Sequence, residues 1–567
     1  MARDLTPLFE PRGVVVTGVS SHPGKFGFVA LHNILSCGFS GPVFAVGREE
    51  GAVLGHQVLA SVADLPDGVA DLLVLCTPVG ANEEIVRIAA ARGVRAVFCA
   101  AGGYSEAGPG GVEAEARLVA LAEDLGLVLA GPNGQGVVSP PVGLCAQIVA
   151  PYPPRGRIAV ASQSGNFVSA FLNYAEQTGI GISRAVSAGN AAATSVADYL
   201  EWFADDPETD VALCYLEGLP DGRAFYERVR QVTLRMPVVV VKGGTTEGGQ
   251  QAAASHTGSL ASDDRIFDGM ARQAGLVRAA TIESAFEAAA TFATQPLPAG
   301  DRVVVLSTAG GWGVVTADAV TAHPNLALIP LPDDLRTAID GMLPPRWSRS
   351  NPVDLAGGET RDTIPDLLDL TAAHPEVDAI VQLGLGIQGN TAALTRSGPF
   401  HPDHGLERIV DFHERQERRY AEAAAAAADA HGKPVLVASE LAVARPDNPM
   451  VVAVRDWGGS ATPRQTGPSL PSVTWSATPP AVGPAPDRQA PVARSAAARF
   501  PRRPTTTSSS PRNSARRSSS TLSSAATPSW STPSSANTPR ARSRPSARSA
   551  LTSTRPTSVS PRRNGST

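Results

Sequence analysis

Gly13-Val-Val-Val-Thr-Gly18-Val-Ser20-Ser-His-Pro-Gly24-Lys25-Phe26-Gly27 is a short apolar run that ends in a glycine-rich turn. A run this short and this apolar reads as a strand buried on both faces, the pattern of a parallel sheet. The turn exposes backbone N–H groups where the next helix begins, and such groups favour phosphate. Gly18, Ser20, Lys25, Phe26 and Gly27 are therefore candidate ligand residues, with Lys25 adding positive charge. The spacing is not the GxGxxG dinucleotide fingerprint, so the turn points to a nucleotide-like ligand without naming it.

The same alternation continues outward. Ala70–Cys76, Val94–Cys99 and Leu127–Ala130 read as further strands, and Ala81–Ala91 and Val112–Leu125 as helices between them. Residues 1–140 thus form one doubly wound α/β unit. A second unit, 151–295, follows the proline-rich stretch Pro151–Pro154. It has strands at Arg157–Ala161, Asp210–Leu216 and Pro237–Val241, and a helix at Asn166–Gln177. A third, 300–455, has strands at Val303–Leu306, Ala379–Leu383 and Pro434–Val437. Both later units open with a strand followed by a small-residue turn, Ser162–Gly165 and Ala309–Gly313, which suggests two similar flavodoxin-like folds.

Composition narrows the function classes. The chain has 567 residues, 43% of them hydrophobic, enough for several buried cores. No run of about 18 apolar residues is present, and the N-terminus is polar, so neither a membrane span nor a signal peptide is expected. Five scattered cysteines, Cys37, Cys76, Cys99, Cys145 and Cys214, suit reduced residues of a cytoplasmic protein. From Trp457 onward there are sixteen Arg, no Lys and a single acid, Asp487. The formal charge of −5 therefore splits into +15 for that stretch and −20 for the rest. A body so acidic is not expected to bind nucleic acid specifically.

Four more places carry candidate chemistry. Cys76-Thr77-Pro78 and the turn Gly131-Pro-Asn133-Gly-Gln-Gly136 lie just past strand ends, where the ligand crevice of a parallel sheet forms. Ser162, Ser164, Gly165 and Asn166 open a helix, and such a start suits a phosphate. His256 stands in Ala254-Ser-His256-Thr-Gly-Ser-Leu260, a stretch of small residues that reads as a movable loop after Lys242-Gly243-Gly244. Imidazole is a nucleophile at neutral pH and forms a high-energy phosphoramidate. Each feature also has a plain reading: a tight turn, an N-cap, a proline that starts a helix, a solvated histidine.

Taken in order, these motifs resemble the NDP-forming acyl-CoA synthetases, relatives of succinyl-CoA synthetase, over Leu8 to about Arg455. The resemblance implies a CoA-binding Rossmann-type domain followed by two flavodoxin-like ligase domains, and an acid–thiol ligase that works through a phosphohistidine. It assigns the phosphorylated role to His256 in Ser255–Leu260, and the acid that orients it to Glu217 in Tyr215-Leu-Glu-Gly218. Gly18 to Gly27, Thr77, Pro78 and Asn133 match the CoA-binding part. The helix starts at Ser162–Asn166 and Gly310–Gly313 match two that hold the phosphoryl group, and Asn351-Pro-Val-Asp354 is a further marker. Implied partners are acyl-CoA, phosphate, and ATP or ADP with Mg²⁺ on an ATP-grasp domain, in a homo- or hetero-oligomer. No metal ligand set of the chain's own is expected. No ATP-grasp segment is legible, which leaves a catalytically incomplete CoA-binding regulatory protein as the alternative. A nicotinamide oxidoreductase would leave the Ser255–Leu260 segment unexplained.

Residues 458–567 are Ser, Thr, Pro, Ala and Arg without periodicity, the composition of a disordered low-complexity tail. They also read as GC-rich coding DNA translated out of frame. Shifted by one frame, Gly459–Pro480 can be re-read as LCYPSANRAVAAVGDLVRYAA, a turn and an amphipathic helix, and Ala526–Thr532 as a strand-like segment. The coding DNA, re-read with one frame change near Gly459, is expected to continue into an ATP-grasp domain. An early stop in that frame would make the tail genuine.

Overall fold

Three parallel sheets follow one another along the chain. The structure, a computed structural model, describes residues 3–149, 151–257, 263–355, 357, 362–439, 445–456 and 462–463. The side chains of residues 253–257 and 462–463 are not among what it describes.

The first sheet holds β1 (Val14–Val19), β2 (Val43–Gly47), β3 (Ala52–Val53), β4 (His56–Leu59), β5 (Leu72–Leu75), β6 (Ala96–Cys99) and β7 (Val128–Ala130). Their order is β3-β4-β2-β1-β5-β6-β7, parallel except for β3 against β4. Helices α1 (Thr6–Phe9), α2 (Phe26–Ser36), α3 (Val79–Ala91) and α4 (Pro109–Asp124) accompany it. The strands lie within two residues of the runs expected from sequence. Helix α4 starts three residues earlier than expected because Pro109 occupies its first turn, where the missing N–H costs nothing. From β1 the chain builds one side of the sheet through β2, then crosses to β5 on the other. That reversal opens a crevice at the carboxyl end of β1.

The second sheet repeats the arrangement with β8 (Gly136–Ser139), β9 (Leu144–Gln147), β10 (Arg155–Ser162), β11 (Ile182–Ser187), β12 (Val211–Leu216), β13 (Val238–Lys242) and β14 (Val277–Ala279). The order is β14-β13-β12-β10-β11-β8-β9, with β8 antiparallel to both neighbours. Strand β8 lies before residue 140, yet it pairs here and not in the first sheet. The helices are α5 (Gly165–Thr178), α6 (Val196–Phe203), α7 (Gly222–Thr233), α8 (Glu247–Thr257), α9 (Asp264–Ala274) and α10 (Ile282–Thr294). The stretch around His256, expected as a loop, is helical through Thr257. Gln250-Gln-Ala-Ala-Ala254 is a strong helix-forming run and carries α8 into it. Residues 258–262 of that expected loop lie outside the described residues.

The third sheet comprises β15 (Arg302–Ser307), β16 (Ala327–Leu328), β17 (Val353–Asp354), β18 (Ala379–Leu383), β19 (Val435–Ser439) and β20 (Thr462–Pro463). Strand β15 sits between β16 and β18 and also pairs with β17. Helices α11 (Gly310–Ala322), α12 (Asp333–Asp340), α13 (Thr363–Ala373), α14 (Ile387–Arg396), α15 (Leu406–His431) and α16 (Pro449–Asp456) complete it. Strand β20 falls inside the stretch expected to be unstructured, and its pairing with Ala438 and Ser439 extends the sheet. The remainder of the expected tail, 464–567, lies outside the described residues. Among the described residues no helix is long and apolar enough to cross a membrane.

Arg184 on β11 locks the N-terminal segment to the second sheet. It is fully buried. Its guanidinium donates to Asp206 at 3.0 and 3.3 Å, to Ser139 Oγ at 2.6 Å, and to Glu10 just past α1. Asp206 is itself buried, so Arg184→Met leaves a carboxylate without its cation in a dry environment. Breaking one side of such a pair is expected to cost about 3–5 kcal/mol. Urea denaturation of the variant should show a loss of that size; a loss near zero would mean the pair is not structural.

Candidate functional site

Three helices begin where the central strand of a sheet ends: α2 after β1, α5 after β10 and α11 after β15. Their cap residues, Lys25, Ser164 and Ala309, make no side-chain capping bond. Helices α6, α7, α9 and α10, away from those crevices, are capped by Ser195, Asp221, Asp263 and Thr281. The first-turn N–H groups at the three crevices are thus left without a side-chain cap, a geometry that favours anions.

At the first crevice, Gly18 has φ +70 and lies against the Cys76 carbonyl, joining the turn after β1 to the turn after β5. Gly27 must be glycine: a Cβ there would lie 2.3 Å from the Gly18 carbonyl oxygen. Ser20 is half-buried, Lys25 is exposed, and the Phe26 ring is 49% exposed beside the loop. The loop also has a neighbour that the sequence did not signal. Glu49, just past β2, accepts from Ser21 N at 2.7 Å, a bond that lowers its carboxyl pKa. Thr77 Oγ1 lies 2.8 Å from the Asn82 side-chain amide, which reaches Tyr104 Oη at 2.7 Å. Pro78 is the exposed cap of α3. Asn133 adopts φ +59 and donates through Nδ2 to Asn190 Oδ1 at 3.3 Å, which ties it to the turn after β11. One sheet edge therefore gathers Gly18, Thr77, Pro78 and Asn133. Open N–H groups, an exposed lysine and an exposed ring suit a phosphorylated, partly aromatic ligand such as CoA.

At the second crevice, Ser162 is fully buried, and its hydroxyl is used within the turn. It donates to Ser164 O at 2.6 Å and accepts from Ser164 N at 3.1 Å. Ser162 therefore shapes the turn, while Ser164, Gly165 and the exposed Asn166 present its surface. Glu217 is one strand away, past β12, and is 8% exposed. Its main chain is held by groups that motif reading passed over. Gln163 Oε1 accepts from Glu217 N at 2.6 Å, and Lys242 Nζ donates to Glu217 O at 3.0 Å. Burial pushes the Lys242 ammonium pKa down. Burial and the adjacent Glu217 carboxylate push the Tyr215 phenol up. Gln135 lies across the first turn of α5, with Nε2 donating to Asn166 Oδ1 at 3.0 Å and Oε1 accepting from Ser169 Oγ at 3.0 Å. A Cβ at Gly165 would meet Gln135 Cγ at 2.3 Å, so this helix start requires glycine. His256 belongs to α8, which leaves β13 through the Gly243-Gly244 turn.

The third crevice repeats the second. Ser307 ends β15 as Ser162 ends β10, and its hydroxyl donates to Ala309 O at 2.8 Å and accepts from Ala309 N at 3.0 Å. Gly310, Gly311 and Gly313 form the first turn of α11. A Cβ at Gly310 would stand 2.5 Å from Asp354 Oδ2, so that carboxylate lies against the helix start. Asn351 explains the rest of its motif. It accepts from Val305 N at 2.9 Å and donates to Val303 O and Ile329 O, stitching β15 to the segment after β16. Among the described residues no group of three or more His, Cys, Asp or Glu side chains could hold a metal ion.

Known proteins share this organisation. Residues 12–140 match the CoA binding domain family, 155–292 the succinyl-CoA ligase like flavodoxin domain, and 303–388 the Ligase-CoA domain. Acetate–CoA ligase (ADP-forming) I subunit alpha of Pyrococcus furiosus is 36% identical over 383 residues, 67% of this chain and 82% of that one. Acetate–CoA ligase (ADP-forming) I of Archaeoglobus fulgidus is 34% identical, and the match covers 66% of this chain but only 54% of that longer protein. The solved structure of Ca. Korarchaeum cryptofilum dinucleotide forming acetyl-coenzyme A synthetase 1 in complex with phosphate and ADP aligns with a TM-score of 0.68 at 30% identity. That alignment covers 80% of this chain and 96% of the other. With three domain families in the same order and an alpha subunit matched over four-fifths of its length, the chain belongs to the NDP-forming acyl-CoA synthetases, a family of acid–thiol ligases.

Proposed function

We propose that this chain is the CoA-binding and phosphohistidine component of a cytoplasmic acid–CoA ligase. It interconverts acyl-CoA, NDP and phosphate with acid, CoA and NTP. The observation that carries the reading is the second crevice: Gln163, in the turn that opens the uncapped helix α5, holds the main-chain N–H of Glu217. An anion and a base-orienting acid are both needed there, and few other chemistries need the two together.

CoA lies at the first-sheet edge, with its phosphates on the α2 start and Lys25. A phosphate oxygen attacks the thioester carbonyl; the C–S bond breaks, the CoA thiolate takes a proton, and an acyl phosphate remains. A ring nitrogen of His256 attacks phosphorus, and the carboxylate of the acid leaves. Glu217 accepts the N–H of the other ring nitrogen and stabilises the charge that forms there. The open N–H groups at Ser164–Asn166 stabilise the phosphoryl oxygens, and those at Gly310–Gly313 serve the same group from the facing helix. Each helix start contributes roughly 0.3–1 kcal/mol when exposed and about 2 when partly buried. The phosphoryl group then passes to NDP on an ATP-grasp domain, carried by a partner subunit of a homo- or hetero-oligomer, with Mg²⁺ entering with the nucleotide.

Full-length protein incubated with acetyl-CoA and radiolabelled phosphate should become labelled at His256. The label should be acid-labile and alkali-stable, as a phosphoramidate is. His256→Ala should abolish it, and Glu217→Gln should slow it by about 100-fold while leaving CoA affinity intact. Equal labelling of wild type and His256→Ala would end this mechanism. Calorimetry supplies an independent check: CoA should bind at least as tightly as NADH, and NADH binding without CoA binding would reject the assignment of the first crevice.

A further inference from the structure

We propose that Gln163 is a positioning residue for Glu217, the amide that makes the helix start of α5 and the Glu217 turn one rigid unit. This rests on the phosphohistidine reading above. Gln163 stands between Ser162 and Ser164, inside the turn that opens α5. Its own N–H donates to Tyr215 O at 3.2 Å. Its side chain reaches past Tyr215 and closes on the next turn. Oε1 accepts from Glu217 N at 2.6 Å and from Gly218 N at 3.2 Å, while Nε2 donates to Gly218 O at 3.0 Å. From the opposite strand end, Lys242 Nζ holds Glu217 O at 3.0 Å. The N–H and the C=O of Glu217 are therefore both held by side chains, one from each flanking turn.

The residue type follows from this pattern. A carboxamide offers an acceptor and a donor on one planar fork; an ionised carboxylate lacks the donor, and an aliphatic chain lacks both. With Gln163 in place, the distance from Glu217 to the anion site at Ser164–Asn166 is set by hydrogen bonds and not by packing alone. Without it, the Glu217 turn loses its three side-chain bonds to the turn that opens α5. A misplacement of a catalytic group by about 1 Å can cost about 100-fold in rate. The CoA crevice lies on the first sheet and does not share these bonds.

The test compares full-length wild type, Gln163→Met and Gln163→Glu with acetyl-CoA and radiolabelled inorganic phosphate. The Met variant keeps the length of the side chain and removes all three bonds. Its rate of His256 labelling should fall by about 100-fold, with CoA affinity and the phosphate concentration for half-maximal labelling unchanged. The Glu variant should resemble it at high pH, where the carboxylate faces the Gly218 carbonyl without a proton. As pH falls, the introduced acid protonates, regains its donor, and the ratio of its rate to wild type should climb. Partial burial and the neighbouring Glu217 both raise the pH at which this occurs. A Met variant that labels at the wild-type rate overturns the role. So does one that loses CoA affinity together with labelling, since Gln163 would then serve only folding, and so does a pH-independent ratio for the Glu variant. If wild type itself does not label, the phosphohistidine reading fails, and the role falls with it.

Discussion

The first N–H groups of an α-helix have no acceptor within the helix, and at α2, α5 and α11 no capping side chain supplies one. Everything else at the three crevices follows from leaving those groups open. Glycines at 27, 165 and 310 stand in each first turn, and neighbouring groups press against them: the Gly18 carbonyl, Gln135 and Asp354. The surrounding helices show the contrast. At α6, α7, α9 and α10 a serine, threonine or aspartate closes the helix start, through Ser195, Asp221, Asp263 and Thr281.

The second and third sheets solve this problem twice with the same parts. A buried serine at the end of the central strand, Ser162 or Ser307, folds the turn by bonding both main-chain groups of the residue two ahead. A carboxylate then stands close to each helix start, Glu217 on a neighbouring turn and Asp354 at the end of β17. The two differ in how they are held. Asp354 lies directly on its helix and already neutralises part of the dipole, worth roughly 0.3–1 kcal/mol to the helix. Glu217 instead has its main-chain N–H held by Gln163 from the turn that opens α5.

Much of this was legible in sequence, and the part that was not has one physical character. Short apolar runs such as Val14–Val16 and Leu72–Leu75 signal buried parallel strands, and turns such as Gly18–Gly27 mark their carboxyl ends. Those features are local. The groups that sequence motifs do not signal, Gln163, Lys242, Gln135 and Glu49, act between segments that follow different strands. Gln163 lay inside a quoted motif, but only its contact 54 residues ahead gives it meaning. Ser162 shows the converse: a serine at a helix start suggests a ligand, and only the structure shows that its hydroxyl bonds within the turn. Around His256 the small residues suggest a loop, whereas the alanine-rich run before it is helix-forming first.

The division of labour proposed for Glu217 and His256 has a geometric basis. Glu217 cannot travel, because its main chain is bonded on both sides and its neighbours Leu216 and Gly218 are buried. His256 sits on a separate helix, joined to β13 by Gly243 and by Gly244 at φ +67, a turn that no packed strand continues. If the two meet, the ring must come to the carboxylate. On the function proposed above, a fixed acid is a receiving station for a phosphoryl-bearing group that arrives with a ring N–H to donate. Such a station gains nothing from motion of its own; rigidity lowers the entropy cost of each encounter. The bonds that remove the freedom of Glu217 are therefore as much a part of the site as the carboxylate itself.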